Sequence, residues 1–356
     1  MSSKQQSARG RAHEPAANRM RARAERGRGE RVQPGVYRLR LPLPFPGVPH
    51  CNAWAVRGAG GLILFDTGMY AERSLAELER ALAMCGLALS EVRLIVCTHA
   101  HLDHCGAAGA IIEATGCEML MHERHEHLRR MLADPQALLD RQLEVARQSG
   151  VPESALRRYA EQRRAERFDV FPVPEPDRPL REGTEIETDL GAFVTYETPG
   201  HAPSHVCLHQ PEHRLLISGD HVLGRVSLYF DYGYTPDPVG EYLSSLDRVQ
   251  ALDARLCLAG HGRTFSDVGA HIRASRELVH ERLAALQAAI ADEALSAYEI
   301  VPRIYGQGLS ELNAHWLLSK VLCYLAHLQQ LGAIEQVGSD PDRWRARAGG
   351  GPLAEP

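Results

Sequence analysis

The stretch Thr98-His99-Ala100-His101-Leu102-Asp103-His104 decides how this chain of 356 residues folds and what it can bind. An apolar segment, RLIVC (93–97), precedes it, and a helical pattern, GAAGAIIEATG (106–116), follows it. This order predicts a buried strand, a histidine-rich loop and then a helix. Three imidazoles and one carboxylate at the end of a buried strand are costly to desolvate unless they are paired or bound to a metal. We therefore predict that the cluster binds metal.

Three later segments predict further ligands. The segments TPGH (198–201), SGDH (218–221) and AGHG (259–262) each put a ligand-capable side chain just after an apolar strand and beside glycine. Small neighbours allow the backbone to bend and the side chain to reach a shared site. Imidazole and carboxylate are the ligands that zinc takes in catalytic sites. One ligand sphere cannot easily use all four groups of the first cluster, so we predict two adjacent spheres.

The order of these motifs resembles the metallo-β-lactamase superfamily. H-x-H-x-D-H is followed by a histidine in TPGH, an aspartate in SGD and a histidine in GHG, and the match runs from about Val36 to Phe265. Phe65-Asp66-Thr67-Gly68 is similar to the superfamily's first motif, an aspartate at a strand end. The resemblance implies a hydrolase with an α/β fold, built as a four-layer αββα sandwich.

The resemblance also implies a role for each site residue. The implied ligands are His99, His101 and His201 for the first metal, Asp103, His104 and His261 for the second, and Asp220 as the bridge between them. Asp66 is similar to an aspartate that orients site groups without binding metal. Two zinc ions per chain are expected, with iron or manganese as alternatives. They would share a hydroxide nucleophile, and Asp103 would be the catalytic residue that hydrogen-bonds it and takes its proton.

Composition divides the chain into four predicted parts. Residues 1–31 are rich in arginine and almost free of large apolar residues, which predicts a disordered tail. Residues 32–268 are the predicted catalytic domain, with a helical insertion at 124–167. Residues 269–338 resemble a small winged-helix-like helical module, and residues 339–356 are a predicted flexible tail.

Charge and hydropathy limit the partners. The net charge is −5 and the only lysines are Lys4 and Lys320, which argues against a chain dominated by nucleic-acid binding. No run of about 18 apolar residues appears, so we expect no membrane span and take the cytosol as the default compartment. We expect a small-molecule substrate, keep RNA as a second option, and leave the oligomeric state open, a dimer included.

Two enzyme classes remain open. The subgroup that the chain resembles contains thioesterase-like enzymes and a single-strand RNA endonuclease, so we favour a thioester, ester or lactone as substrate and keep RNA cleavage as the alternative. The loop at 225–234 carries Arg225 and several aromatic residues, which could line an acyl pocket or stack on bases. A DNA-binding regulator with a degenerate site is disfavoured because all seven ligands are present. In MHERHEH, His122, His125 and His127 lack the spacing of a helical metal motif, so no third metal site is expected there.

Overall fold

The structure is a computed structural model, and it describes residues 26–45, 47–165, 171–225, 227–306 and 311–347. The strands are β1 Arg28–Gln33, β2 Val36–Phe45, β3 Val48–Gly58, β4 Gly61–Phe65, β5 Val92–Val96, β6 Glu118–Met121, β7 Arg178–Pro179, β8 Glu185–Ile186, β9 Phe193–Glu197, β10 Val206–Gln210, β11 Leu215–Gly219, β12 Leu256–Ala259, β13 Phe265–Ser266, β14 Ile334–Gly338 and β15 Arg343–Ala346.

The helices lie between these strands and after β13. They are α1 Ser74–Met84, α2 Leu102–Cys105, α3 Ala108–Thr115, α4 Glu126–Ala133, α5 Pro135–Gln148, α6 Glu153–Ala165, α7 Pro238–Gln250, α8 Val268–Ala289, α9 Ala297–Tyr305 and α10 Glu311–Gln330. No helix in the described part of the chain is both long and apolar enough to cross a membrane.

The first sheet has seven strands in the order β1 to β7. Its first four strands form antiparallel pairs, and β4, β5, β6 and β7 pair in parallel. Successive side chains of a strand point to opposite faces of the sheet. Accordingly, Leu62 and Leu64 of β4 pack under the helices, whereas Ile63 and Phe65 face the second sheet. A strand buried on both faces explains why GLILF is continuously apolar.

The second sheet has six strands in the order β13-β12-β11-β10-β9-β8. Its inner face meets the first sheet in a shared core, where Phe65 and Phe193 lie with ring centroids 5.4 Å apart. Helices α1 and α3 cover the outer face of the first sheet, and α7 and α8 cover that of the second. The layers therefore run helix, sheet, sheet, helix, which confirms the predicted αββα sandwich.

Helices α4, α5 and α6 fill the predicted insertion between β6 and β7. Asp134 caps α5 by accepting a hydrogen bond from the backbone N–H of Ala137, and Pro135 follows it at the first helical position. The chain breaks between α5 and α6 at Gly150, whose φ of 85° suits glycine.

The C-terminal elements share a core with the catalytic part. One cluster of buried side chains joins Leu216 and Phe230 to Leu283 and Tyr324. After α8, the chain forms a single bridge between Leu295 and Trp344, then α9, α10 and the hairpin of β14 and β15. This order is compatible with the winged-helix-like module, which stays a prediction.

Both predicted tails include residues that belong to strands in the structure. Residues 28–31 lie in β1, which pairs with β2, and residues 343–346 lie in β15, which pairs with β14. Neither strand has a run of apolar residues, and each is hydrogen-bonded to an antiparallel neighbour. Residues 1–25 of the N-terminal tail and residues 348–356 lie outside the described residues.

Candidate metal centre

The candidate ligands come together because the strands that carry them end at one edge. Parallel neighbours put their carboxyl ends on the same side of a sheet. In the first sheet, β4 ends just before Asp66 and β5 ends before the cluster of residues 98–104. In the second sheet, β11 ends before Asp220 and its parallel neighbour β12 ends before His261. His201 follows β9 in the same sheet.

His99, His101 and His201 form the first ligand group. One nitrogen from each ring lies within 4.8 Å of the other two. Nε2 of His201 is 3.1 Å from Nδ1 of His101, and the ring centroids of His99 and His201 are 4.9 Å apart in a T-shaped arrangement. The other nitrogen of His201 is 3.1 Å from the carbonyl oxygen of Tyr229, which fixes its ring.

Asp103, His104 and His261 form the second ligand group. The two Nε2 atoms of the histidines are 3.3 Å apart, and Nε2 of His261 is 3.4 Å from Oδ2 of Asp103. Nδ1 of His261 is 3.0 Å from the carbonyl oxygen of His50. Each of the two rings therefore turns Nε2 toward the other ligands of the group and uses Nδ1 for a hydrogen bond elsewhere.

Asp220 lies between the two groups. Its Oδ1 is 3.4 Å from Nε2 of His104, and its Oδ2 is 3.2 Å from Nε2 of His261 and 3.8 Å from Nε2 of His201. One carboxylate thus faces ligands of both groups, as a bridging ligand must. The structure brings together all seven residues that the sequence predicted as ligands.

The donor set fits divalent cations. Nε2 of His99 and Oδ1 of Asp220 are buried, and neither has a hydrogen-bond partner. An unpaired buried polar atom costs roughly 1–3 kcal/mol, and a cation at the shared point would remove that cost for both atoms. Two nitrogens on one tetrahedral zinc lie about 3.3 Å apart, which is close to the nitrogen separations in both groups.

The charge states of the candidate ligands favour binding of a cation. Burial lowers the pKa of His99 well below its usual value and that of His201 to about 4, so both rings are neutral and able to bind metal. Burial opposes the charge on Asp220, yet the facing rings of His261 and His104 hold the pKa of its carboxyl well below its usual range. Burial alone would lower the pKa of His261, but Asp220 and Asp103 raise it to about 10. A bound cation would replace that ring proton as the partner of both carboxylates.

Asp66 anchors the cluster from below, as the resemblance implied. Its Oδ1 accepts a hydrogen bond from the backbone N–H of Thr98, and its Oδ2 accepts one from the Thr98 hydroxyl and lies 2.8 Å from Nδ1 of His104. Asp66 holds a φ of 61°, which is strained for a residue other than glycine. The strain is tolerated because its three hydrogen bonds and its burial fix the position.

His205 orients the bridging residue. The backbone N–H of Asp220 donates to Nε2 of His205 at 3.1 Å, so Nδ1 carries the proton and donates to the hydroxyl of Thr198 at 2.8 Å. Ser204 has a similar structural role, because its hydroxyl accepts a hydrogen bond from the N–H of Ala100.

Sequence reasoning missed Asp231. Its Oδ2 lies 2.9 Å from Nε2 of His101, and its backbone N–H donates to the carbonyl oxygen of His201. It therefore holds the ring whose other nitrogen belongs to the first group. In the sequence, Asp231 is the single carboxylate among the aromatic residues of the 225–234 loop. We interpreted this loop as a lining of the substrate pocket, and that interpretation gave Asp231 no role.

The three histidines of MHERHEH separate in the structure. His122 faces Glu197 at 3.3 Å and His125 faces Glu175 at 3.1 Å, away from the ligands. His127 instead lies beside the centre, with its ring 6.0 Å from that of His101, and both of its buried nitrogens lack a partner. It offers one ligand atom to a further group with His101 and Asp231.

A buried arginine holds the loop of His261. Nε of Arg38 donates to Oδ1 of Asn52 at 2.9 Å, and its terminal nitrogens donate to Glu30 and to the carbonyl oxygen of Gly262. The amide of Asn52 donates to the same carbonyl at 3.0 Å. Glu30 of strand β1 is thus linked to the loop of His261 through Arg38.

A family model described as the metallo-beta-lactamase superfamily matches residues 46–261, more than half of the chain. The chain belongs to the metallo-beta-lactamase superfamily. This confirms the resemblance drawn from the motifs, and the protein is a hydrolase of that superfamily.

Similar proteins agree with this assignment. The chain is 25% identical over 280 residues to the probable metallo-hydrolase YqjP of Bacillus subtilis, covering 76% of this chain and 85% of that protein. It is 30% identical over 227 residues to the acyl-coenzyme A thioesterase MBLAC2 of Gallus gallus, covering 60% and 73%. A crystal structure of a metallo-beta-lactamase family protein from Thermus thermophilus has a TM-score of 0.77 at 28% identity, covering 89% of this chain and all of that chain. A beta-lactamase domain protein from Burkholderia ambifaria has a TM-score of 0.76 at 28% identity, covering 90% and 93%.

Proposed function

We propose that this metallo-hydrolase holds two zinc ions and hydrolyses a small acyl thioester. The observation that carries the two-ion proposal is the position of Asp220, whose two oxygens face histidines of both groups at 3.2–3.8 Å. His99, His101 and His201 would hold one ion, and Asp103, His104 and His261 the other. When bound, the ions would supply Lewis acidity that ionises water and polarises the substrate carbonyl near neutral pH.

The protein's own residues would place the reacting water. Asp103 is the most exposed of the candidate ligands, with 22% of its side chain accessible, so a water molecule can reach it. The rings of His104 and His261 hold the pKa of its carboxyl low against the effect of burial, so it is ionised and accepts a hydrogen bond from that water. The water adds to the acyl carbon while Asp103 accepts one of its protons, the carbon–sulfur bond breaks, and the carboxylic acid and the thiolate are released; the proton then passes from Asp103 to the thiolate or to solvent.

Two arguments favour a thioester over an ester or lactone. A thiol of pKa about 8.5 leaves as a thiolate and needs no proton donor when the bond breaks. The relative with 30% identity is named as an acyl-coenzyme A thioesterase. RNA cleavage by the same ligands is the alternative that an experiment must separate.

Metal analysis and a substrate panel test the proposal together. We expect close to two zinc ions per chain and turnover of acyl thioesters. Asp220→Ala should lower both, with a loss in kcat of about a hundredfold or more, since losing even an outer partner of a metal ligand costs roughly 10–100-fold. Asp253→Asn is the matched control, because Asp253 is an exposed aspartate whose side chain is 84% accessible. Cleavage of single-stranded RNA without thioester turnover would refute the substrate, and one ion per chain in active protein would refute the two-ion site.

A further inference from the structure

Three exposed aromatic side chains, Tyr232, Tyr298 and Trp316, belong to the C-terminal part of the described chain. The large hydrophobic side chains exposed in the described part of the chain are Met84, Tyr232, Tyr298, Trp316, Leu331 and Val337. Trp316, on α10, is 45% exposed and meets Phe45 edge-to-face, with ring centroids 6.5 Å apart and planes at 78°. Exposed aromatic surface next to a site is typical of ligand binding.

Phe45 stands on one wall of the metal centre. The carbonyl oxygen of His50, in strand β3, lies 3.0 Å from Nδ1 of His261. His50 pairs with Pro42, and further along the same hairpin Phe45 pairs with Val48. Since a strand rises about 3.3 Å per residue, Phe45 lies roughly 10 Å from that contact along the hairpin.

Trp316 stands on the opposite wall. The hydroxyl of Ser319 in α10 donates to the carbonyl oxygen of Phe230 at 3.1 Å. The preceding carbonyl, that of Tyr229, lies 3.1 Å from Nδ1 of His201. Trp316 precedes Ser319 by three residues, about 4.5 Å along the helix. The pair of Phe45 and Trp316 therefore joins the wall that holds His261 to the wall that holds His201.

We infer that Phe45 and Trp316 form the mouth of the active site and bind the apolar acyl chain of the substrate. The inference rests on the proposed thioesterase function and names its specificity residues. In this inference, an alkyl chain attached to the reacting carbonyl runs along the aromatic pair toward solvent. Tyr232, which follows Asp231 and is 39% exposed, is a further exposed aromatic residue of the 225–234 loop. The C-terminal module would thus select the substrate.

The competing explanation is a packing contact that only holds α10 against the hairpin. A packing contact would contribute to the free energy of unfolding and would not sense acyl length. Chain-length selectivity therefore separates the two explanations. The readout is the ratio of kcat/KM for an octanoyl thioester to that for the acetyl thioester of the same thiol.

Trp316→Ala and Phe45→Ala should each lower the octanoyl-to-acetyl ratio by about tenfold, because part of the buried chain surface is lost. Trp316→Phe should retain most of the ratio. Tyr298→Ala is the control, since Tyr298 is a 38% exposed aromatic of the same module whose backbone N–H bonds to Ser149, at the start of the break between α5 and α6. Equal losses for both substrates, or a lower melting temperature with an unchanged ratio, would overturn the inference.

Tryptophan fluorescence gives a second readout. Trp54 and Trp344 are 1% and 8% exposed, so acrylamide should quench mainly Trp316. An octyl thioether, which cannot be hydrolysed, should protect Trp316 in the wild type, and a short thioether should not. Protection by single-stranded RNA alone would overturn the inference. Wild-type protein that hydrolyses no thioester refutes the proposed function itself, whereas thioester turnover independent of chain length refutes only the inference.

Discussion

The carboxylate of Asp231 lies 2.9 Å from Nε2 of His101, which leaves Nδ1 of the same ring to face Nε2 of His201 at 3.1 Å. A ring held at one nitrogen presents the other in a single orientation. The loop after β11, which carries none of the seven predicted ligands beyond Asp220, therefore still helps to set the geometry of the first metal group.

Asp231→Ala should weaken binding of one zinc ion by roughly 10–100-fold, because His101 loses the partner that orients it. Asp231→Asn should have a smaller effect, since its amide oxygen can still accept from the ring. Competition with a chromophoric chelator measures the affinity for each ion. Equal affinities in wild type and both variants would show that packing alone orients His101.

Gly260→Ala should damage the second metal group. A Cβ on this residue would overlap Oδ1 of Asp220 and would lie 2.7 Å from the ring of His104. Gly262→Ala is the matched control, because its Cβ would meet nothing within 4 Å while its φ of 75° still disfavours alanine. We expect Gly262→Ala to lower stability by about 1 kcal/mol and to keep its metal content. Metal analysis of both variants, folded by circular dichroism, tests the difference.

Arg38→Met should destabilise the protein by about 1–3 kcal/mol, because it leaves Oδ1 of Asn52 without its donor in a buried position. It should also weaken the binding of the second ion, because Arg38 donates a hydrogen bond to the carbonyl oxygen of Gly262, the residue after His261. Glu30→Gln should cost only about 0–1 kcal/mol, because the Glu30 side chain is 57% exposed. Urea unfolding at saturating zinc measures both values; a larger loss for Glu30→Gln would contradict this account.

Thiol labelling should be slow in the native protein. Seven of the eight cysteines are buried, and burial raises the pKa of Cys207 to about 12. A raised pKa leaves less thiolate at pH 8, so the rate should increase as the pH approaches the pKa of each thiol. Cys85 is half-buried and should react first, and Cys85→Ser should remove that fast phase. Eight fast thiols without denaturant would contradict the described packing.

The ligands were predictable because each follows an apolar strand and stands beside small residues. The first strand was not, for a physical reason. Gly27 and Gly29 lie so close to the carbonyl oxygens of Glu77 and Ala81 that a Cβ on either would overlap them. The backbone of β1 packs directly on α1 because glycines, which have no side chain, stand at the contact. The sequence of this strand therefore shows no alternation of apolar and polar residues. Asp231 was equally hidden, because its partner His101 lies 130 positions away.

The long separation between ligands has a consequence for how the protein becomes active during synthesis. His104 and His261 meet across 157 positions, so the proposed second ion site cannot exist until both sheets have formed and packed. Closing so long a loop is entropically unfavourable and slow compared with local folding. Zinc would therefore be captured late, by an almost finished fold, and metal starvation should yield folded, inactive molecules that zinc reactivates without refolding.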